Sequence, residues 1–440
     1  MAQQTKNMLY SIVRPIATLA LRIFYRKIHL SNSHHLLKGK PVILAANHPT
    51  GFMEPCILAC YLDRPLYYLV RGDLFRKPFY RRLLESLHMV PVYRVRDGGF
   101  SAVKNNYETF DYCFNALRDH KTLMILAEGT AEHEKRLRPL KKGTARVAFG
   151  ALERYPNLED IYIVPTGVNY TYAEFPRTEV MIDLGEPIKV RDYFEKYKEN
   201  PNQASAELTE TLRQSMAERI VIIERPSDED LTEYLLQLNR SQRPEKIFPI
   251  VDANSQPLLA EKSVADHVNA MPEATRAALL AQAKAYFEQL KVNGITDAAL
   301  LHPLRSALPS VLLLILGLPF FLLGYVTNIL PIRLAQSITK KRVRRPEFRA
   351  PVLWAISMGA YLIYWILWLL MLFIFTKPIC LLWLLLMPTL GYLAIIYREY
   401  ASAYNVRRRA ARLPSTTRQH LLQQRADLQA QANVQQQLSS

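Results

Sequence analysis

The residue pair best suited to chemistry is a histidine followed six positions later by a carboxylate, His48 and Glu54. A carboxylate that contacts one imidazole nitrogen fixes the tautomer and stabilises the imidazolium, so the other nitrogen can take a proton from a hydroxyl group. Because Pro49 follows His48 directly, the alternative is a histidine that only ends a strand or caps a turn. The pair therefore indicates a general base, provided that the surrounding elements bring both side chains together.

The segments around this pair alternate between short apolar runs and helical patterns. The apolar runs predict strands at residues 42–46, 66–70, 90–93, 122–127, 161–166 and 179–184. The helical patterns predict helices at residues 54–62, 78–87, 101–119 and 144–154. This alternation predicts the α/β class, with a mixed sheet flanked by helices, and it places His48 just after the first of these strands.

Other blocks accompany later strands of the same region: Arg94 and Arg96 after residues 89–93, Glu128, Gly129 and Thr130 after residues 122–127, and Val164 and Pro165 within residues 161–166. A basic segment, residues 135–142, follows Thr130 closely. In this order and spacing, the blocks resemble the glycerolipid acyltransferase superfamily, whose members acylate glycerol 3-phosphate or 1-acylglycerol 3-phosphate. The resemblance covers about residues 40–195.

The resemblance implies an O-acyltransferase that needs no metal or other cofactor. The acceptor hydroxyl, deprotonated by the catalytic pair, would attack the thioester of acyl-CoA or acyl carrier protein directly, with no acyl-enzyme intermediate. The acceptor would be a phosphorylated glycerol or a lysophospholipid. Carried over to this sequence, the family's roles are catalysis by His48 and Glu54, acceptor binding by Arg94, Glu128, Gly129 and Thr130, and an acyl groove shaped by Val164 and Pro165.

The sequence departs from the family pattern at two positions. The family has His-x4-Asp and a Pro-Glu-Gly-Thr block, whereas this chain has His-x5-Glu and Ala127 before Glu128. On a regular helix one extra residue rotates a side chain by about 100°, so we expect Gly51 to help the loop return Glu54 to His48. Two alternatives stay open: a catalytically silent, lysophospholipid-binding scaffold, and a transferase for a lyso-aminolipid, which has no phosphate for Arg94 to bind.

Charge and hydropathy indicate a membrane protein. The chain has 440 residues and a formal net charge of +17, which suits nucleic acid or anionic lipid, but it contains no recognisable nucleic-acid-binding module. Residues 352–375 and 379–397 are apolar runs, each long enough to cross a hydrocarbon core of about 30 Å. A buried pair of core helices is the alternative, and the length and low charge of the runs disfavour it. Membrane lipids are therefore the expected partners.

A third apolar run, residues 309–330, contains Gly317 and Pro319 near its middle. It is either another span or a re-entrant segment that enters the membrane and returns, and a proline there favours a break. Basic residues are concentrated at 333–349 and 398–412. Because positive segments face the cytoplasm and acyl donors are there, we predict a re-entrant segment and a cytoplasmic catalytic domain.

The remaining segments complete the predicted domain plan. Polar residues recur every three or four positions between 7 and 28, which predicts an interfacial amphipathic helix; a signal peptide or a core-packed helix are the alternatives. The four cysteines show neither a disulfide framework nor zinc-ligand spacing. The predicted domains are an anchoring helix (1–30), an acyltransferase domain (31–200), a helical accessory region (201–305), a membrane segment (306–400) and a basic, Gln-rich tail (401–440).

Overall fold

A computed structural model describes residues 2–93, 106–243, 247–304, 306–375 and 382–432. The chain divides into two compact units. The first, the sheet unit, combines Met1–Val221, Ile247–Leu258 and Val343–Trp354. The second, the helical unit, combines Ile222–Lys246, Leu259–Arg342 and Ala355–Ser440. The candidate catalytic residues all belong to the sheet unit.

The sheet unit is built on a mixed sheet. Its described strands are β1 (Lys27–Ser31), β2 (Val42–Ala46), β3 (Leu66–Arg71), β4 (Met89–Val92), β5 (Thr122–Leu126), β6 (Tyr162–Tyr170), β7 (Glu179–Leu184), β8 (Ile188–Lys189) and β9 (Val251–Asp252). The strand order is β4-β3-β5-β2-β6-β7-β1-β9, and β8 pairs with β6. Strand β2 lies between β5 and β6 and is parallel to both, with Ala46 opposite Leu126 and Thr166. The loops that follow β2 and β5 therefore leave the same edge of the sheet.

Helices flank this sheet, as the alternating pattern predicted. They are α1 (Ala2–Phe24), α2 (Met53–Tyr61), α3 (Pro78–Ser86), α4 (Asn106–Arg118), α5 (Gly143–Arg154), α6 (Phe194–Glu199) and α7 (Pro201–Ala217). Strands β2 and β7 have the predicted bounds, and the predicted α/β class with a mixed sheet is confirmed. Residues 101–105 of the predicted helix 101–119 lie outside the described residues.

The amino-terminal helix begins and ends earlier than the predicted pattern at residues 7–28, because it spans Ala2–Phe24 and the chain enters β1 at Lys27. Residues 27–30, which the prediction gave to the anchoring helix, thus belong to the first strand of the sheet. The sequence pattern did not reveal β1 because this buried strand contains Lys27 and His29. Both are compensated inside the unit: Lys27 Nζ donates to the Pro249 carbonyl, and His29 Nδ1 lies 2.6 Å from Asp252 Oδ1.

Helix α1 has a packed face and an exposed face. Tyr10, Ala17, Leu21 and Phe24 are buried, which fits the core-packed alternative for that face. On the packed side Arg14 Nη2 donates to the Leu62 carbonyl at 2.7 Å instead of extending outward. The exposed face carries apolar side chains, including Ile12 and Leu19, each more than half exposed. This face keeps the membrane-contact prediction open.

The helical unit contains the remaining helices: α8 (Glu229–Arg240), α9 (Gln256–Ala270), α10 (Glu273–Val292), α11 (Asp297–Leu301), α12 (Leu308–Arg342), α13 (Arg349–Phe375), α14 (Leu382–Ala411) and α15 (Ser415–Gln431). The first residues of α9 and α13 belong to the sheet unit. Leu421 and Leu428 of α15 are buried in one core with residues of α8 and α10. The Gln-rich tail thus forms a packed helix as far as residue 431.

Within the described residues, two helical segments are long and apolar enough to cross a membrane, Leu308–Arg342 and Pro346–Ile374. The first is α12, and it continues through Pro319 without the break that the sequence predicted. A proline removes one helical hydrogen bond, and α14 packs along α12 closely enough to support the helix. At Gly317 a Cβ atom would lie 2.9 Å from the Tyr397 ring, and Asn328 Nδ2 donates to the Met387 carbonyl at 3.0 Å.

Candidate active site

The structure brings His48 and Glu54 together at the edge where β2 ends. His48 follows β2 by two residues, and Glu54 lies in the first turn of α2, fully buried. His48 Nδ1 and Glu54 Oε2 are 3.5 Å apart, within ion-pair distance, and among the described residues neither atom has a hydrogen-bond partner. With Nδ1 facing the carboxylate, Nε2 is the ring nitrogen left for a substrate proton.

The five-residue spacing works because the chain between the two residues is a loop rather than a helix. Helix α2 begins only at Met53, whose N–H donates to Thr50 Oγ1 at 3.1 Å. The Thr50 N–H donates to Glu54 Oε1 at 2.8 Å, so the carboxylate folds back over the loop. The Tyr170 hydroxyl lies 3.5 Å from the same oxygen. Burial, together with the charge of Glu54, raises the pKa of Tyr170 well above its ordinary range, so Tyr170 keeps its proton and remains a donor.

Asn47 connects the start of this loop to strand β6. Its side-chain Nδ2 donates to the Val168 carbonyl at 2.9 Å, and its Oδ1 accepts the Val168 N–H at 2.7 Å. The side chain thus extends the sheet by two hydrogen bonds at the residue before His48. This paired contact fixes the position from which the His48 side chain leaves the strand.

Glu128 supports the backbone of His48. Its Oε2 accepts the His48 N–H at 2.7 Å, and its Oε1 accepts the Arg138 N–H at 2.8 Å. Arg138 Nη2 also lies 2.7 Å from Oε2, and Glu128 is buried. Both carboxylate oxygens are therefore engaged within the protein, whereas the sequence had assigned Glu128 to the acceptor. Arg138 was missed as a site residue because it lies in a run of basic residues that looked solvated.

The turn after Glu128 explains the glycine at 129. Gly129 has a φ of +76°, a left-handed conformation that favours glycine. Its N–H donates to the Leu126 carbonyl at 3.0 Å, and the turned chain lets the Glu132 N–H donate to the His48 carbonyl at 3.1 Å. Arg138 Nη1 donates to Thr130 Oγ1 at 2.8 Å. Gly129 and Thr130 thus lie in the turn that leads to Glu132, and the Gly129 N–H is used within that turn.

Ala127, where the family has proline, adds a hydrogen bond that proline cannot make. Its N–H donates to the Ala46 carbonyl at 2.9 Å, which extends the pairing of β2 with β5 by one step. Its carbonyl accepts the Lys141 N–H at 2.8 Å. This departure from the family pattern is compatible with an ordered site.

The remaining predicted residues are not part of this cluster. Val164 and Pro165 lie in β6, opposite Leu44 and Ala45 of β2, and both are buried; their role in an acyl groove stays a prediction. Arg94 lies outside the described residues. A separate groove of about 760 Å³ is lined by residues of α1, α2 and β3, with Arg14, Cys60 and Tyr67 among them.

Comparison with known proteins supplies an independent finding. The sequence model of the Acyltransferase family matches residues 27–169, which include every predicted site residue. Glycerol-3-phosphate O-acyltransferase 2 of Saccharomyces cerevisiae is 28% identical over 144 residues, which are 32% of this chain and 19% of that protein. Glycerol-3-phosphate O-acyltransferase 1 of the same yeast is 29% identical over 106 residues, 23% of this chain and 14% of that protein. The matched part thus spans less than a fifth of the length of these relatives.

Among solved structures, the chain is similar to the 1-acyl-sn-glycerophosphate (LPA) acyltransferase PlsC from Thermotoga maritima. The match has 15% sequence identity and a TM-score of 0.36, and it covers 50% of this chain and 82% of that one.

Proposed function

Because the domain at residues 27–169 belongs to the glycerolipid acyltransferase superfamily, we propose that this chain is a membrane-associated O-acyltransferase. It transfers a fatty acyl group from acyl-CoA or acyl carrier protein to glycerol 3-phosphate or 1-acylglycerol 3-phosphate. The observation that carries the proposal is the pairing of His48 Nδ1 with a fully buried carboxylate, Glu54, at 3.5 Å. That geometry leaves Nε2 as a base for the acceptor hydroxyl.

In the proposed reaction His48 Nε2 removes the proton from the acceptor hydroxyl while the oxygen attacks the carbonyl carbon of the thioester. The C–O bond forms, the C–S bond breaks, and the imidazolium returns its proton to the leaving thiolate. The products are an ester and a free thiol, so atoms and charges balance. Glu54 stabilises the imidazolium between the two proton transfers, and the Thr50 N–H holds Glu54 in place.

A direct attack is supported by the chemistry of the nearest thiol. Cys56 lies on α2, two residues after Glu54, and a thiolate there would suggest an acyl-enzyme route. Burial raises the pKa of the Cys56 thiol far above its ordinary range, and the neighbouring Cys60 and Glu54 raise it further. The thiol therefore stays protonated and is a poor nucleophile.

Acceptor binding is proposed for Arg94, Gly129 and Thr130. A guanidinium binds phosphate through two parallel hydrogen bonds, and this is the role we assign to Arg94. Thr130 lies in the turn that follows Glu128, where Arg138 Nη1 donates to its hydroxyl. Glu128 acts from behind, by holding the His48 backbone.

The function is tested with the purified full chain in detergent. Acyl-CoA and acyl carrier protein thioesters are each offered with labelled glycerol 3-phosphate, with lysophosphatidate and with a lyso-aminolipid. We expect labelled ester from a phosphorylated acceptor. Transfer to the lyso-aminolipid alone would assign the other acceptor class, and binding of lysophosphatidate without transfer would show a scaffold.

We also propose that the sheet unit faces the cytoplasm and that residues 309–330 do not cross the membrane. The part of the basic stretch that begins at Val343 belongs to the sheet unit, which supports placing it on the same side of the membrane as the candidate site. The apolar surfaces of α12 and α13 support membrane contact, since only 6% of the most apolar stretch of each helix is buried. A cytoplasmic basic stretch then obeys the positive-inside preference.

The orientation is tested by labelling single cysteines with an impermeant reagent in intact cells, after replacement of the four native cysteines. Exposed positions are available in the sheet unit, in the basic stretch and in the tail, at Asn202, Arg344 and Ser415. We expect all three cysteine variants to stay unlabelled until the membrane is opened. Labelling of Arg344→Cys in intact cells would place the basic stretch outside and refute the orientation.

A further inference from the structure

The linker between the two apolar helices α12 and α13, residues 343–348, packs against the catalytic loop. We propose that this linker positions His48 and Glu54, with Phe348 as the main positioning residue. The inference rests on the proposed function for its kinetic consequence, but its contacts all lie within the sheet unit. The family match ends at residue 169, so the linker lies outside the matched domain.

The first contact is between Phe348 and Gly51, in the middle of the loop that joins His48 to Glu54. A Cβ atom at Gly51 would lie 2.5 Å from Phe348 Cδ1 and 2.7 Å from Cε1, well inside van der Waals contact. The Gly51 N–H also donates to the Glu347 carbonyl at 2.8 Å. Glycine is needed at this position because the ring and the linker backbone lie directly against it, and this close contact fixes the middle of the loop.

The second contact is with the loop on the other side of His48. Arg345 Nη2 lies 3.4 Å from the Ala131 carbonyl, and its guanidinium lies 5.8 Å from the Phe348 ring centre. The next residue of that loop, Glu132, donates its N–H to the His48 carbonyl. Arg345 also pairs with the buried Glu347. The linker therefore touches both loops that hold His48.

The linker also contacts the rest of the sheet unit where it ends at α13. Arg349, the first residue of α13, pairs with Glu174 at 2.5 Å, and Glu174 also pairs with His133 at 3.4 Å. Attachment on both sides of Phe348 limits how far the ring can move from Gly51. The ring is thus held in contact with Gly51.

The expected consequence is kinetic rather than chemical, because Phe348 donates and accepts no proton. Thr50, which holds Glu54 through its N–H, is the neighbour of Gly51. Without the ring, the loop gains freedom at that point and the His48–Glu54 contact is populated less. Misplacement of about 1 Å can cost about a hundredfold in rate, so kcat should fall while KM for the acceptor changes little.

The test compares full-length variants by transfer kinetics and by hydrogen exchange of the backbone amides at residues 50–54. Phe348→Ala should lower kcat by about tenfold to a hundredfold and speed exchange in this loop. Phe348→Leu, which keeps an apolar contact, should have a higher kcat and slower exchange in this loop than Phe348→Ala. Arg344→Ala is the matched control, since Arg344 is an exposed residue of the same linker, and it should match the parent in both measurements.

A pair of substitutions tests the contact itself. Gly51→Ala should lower kcat because its methyl group meets the ring, and adding Phe348→Ala should restore part of the lost rate. Parent-like exchange and kinetics in Phe348→Ala, or a double variant no better than Gly51→Ala, would overturn the positioning role. If the parent transfers no acyl group at all, the proposed function fails, while loop exchange in Phe348→Ala still decides whether the linker holds the loop.

Discussion

Among the histidines of the sheet unit that face carboxylates, His29 and His48 are both buried, and their surroundings differ in one decisive respect. His29, in β1, places Nδ1 2.6 Å from Asp252 Oδ1 and Nε2 3.9 Å from Glu179 Oε2. His48, after β2, places Nδ1 3.5 Å from Glu54 Oε2, and its Nε2 is the nitrogen that we propose as the base. Both imidazoles are buried. The shorter contact belongs to the histidine that faces a carboxylate with each ring nitrogen.

The comparison shows that a candidate base is recognised by its available nitrogen rather than by its shortest contact. His29 joins neighbouring strands, because Asp252 lies in β9 and Glu179 in β7. With a carboxylate facing each ring nitrogen, His29 links β1 to the strands on both of its sides. His48 lies beyond the end of its strand, in a loop with three contacts to other segments. Asn47 bonds to β6, the His48 N–H donates to Glu128, and the Gly51 N–H donates to the linker.

The largest difference should come from removing the carboxylate in each pair. Glu54→Ala removes the group that orients His48 and stabilises its imidazolium, so the initial transfer rate should fall by about a hundredfold or more. Glu54→Asp should retain part of the rate, since the shorter side chain keeps its charge. Asp252→Ala should leave the rate per folded molecule unchanged. A parent-like rate in Glu54→Ala would remove Glu54 from the catalytic pair.

The next difference concerns the ion pair beneath His48. Arg138→Ala leaves the buried Glu128 carboxylate without its partner, and breaking such a pair costs about 3–5 kcal/mol. The matched control is Arg213→Ala, which breaks the exposed pair of Arg213 with Glu210 and should change the stability little. Denaturant unfolding of both variants checks the contrast. Equal stability losses would mean that Glu128 does not depend on Arg138.

The smallest effect is a pH dependence of stability from His29. Burial favours the neutral imidazole, but Glu179 and Asp252 more than offset burial and raise the pKa of His29 above its ordinary value of 6.5. The pairing therefore stabilises the fold fully below pH 6.5, and this contribution is lost as the pH rises through the raised pKa. Thermal unfolding measured across this range should show a steeper loss in the parent than in His29→Gln. Parallel curves would contradict a charged His29.

Where apolar runs were unbroken, the sequence predicted the fold well. Strands β2 and β5 are such runs, and their predicted bounds agree with the structure to within one residue. Strand β1 was missed because Lys27 and His29 are buried only through partners distant in the chain. The predicted break at Pro319 was wrong because local sequence does not show the neighbouring helix α14, which packs along α12.

The candidate site was predictable only in part, for the same reason. His48, Glu54 and Gly129 could be found because motif spacing is a local property. Arg138 could not, since its partner Glu128 is visible only in three dimensions, and neighbouring basic residues have the same appearance in the sequence. Phe348 lies far from Gly51 in the chain, and nothing in either segment alone indicates their contact.

The central claim is that His48, and not His29, is the base that activates the acceptor hydroxyl. The most direct measurement is the initial rate of acyl transfer by purified His48→Ala and His29→Gln, in parallel and per folded molecule. Loss of a general base lowers a rate by about 10²–10⁴-fold, so we predict that loss for His48→Ala and a parent-like rate for His29→Gln. A parent-like rate in His48→Ala, or equal losses in both variants, would contradict the account.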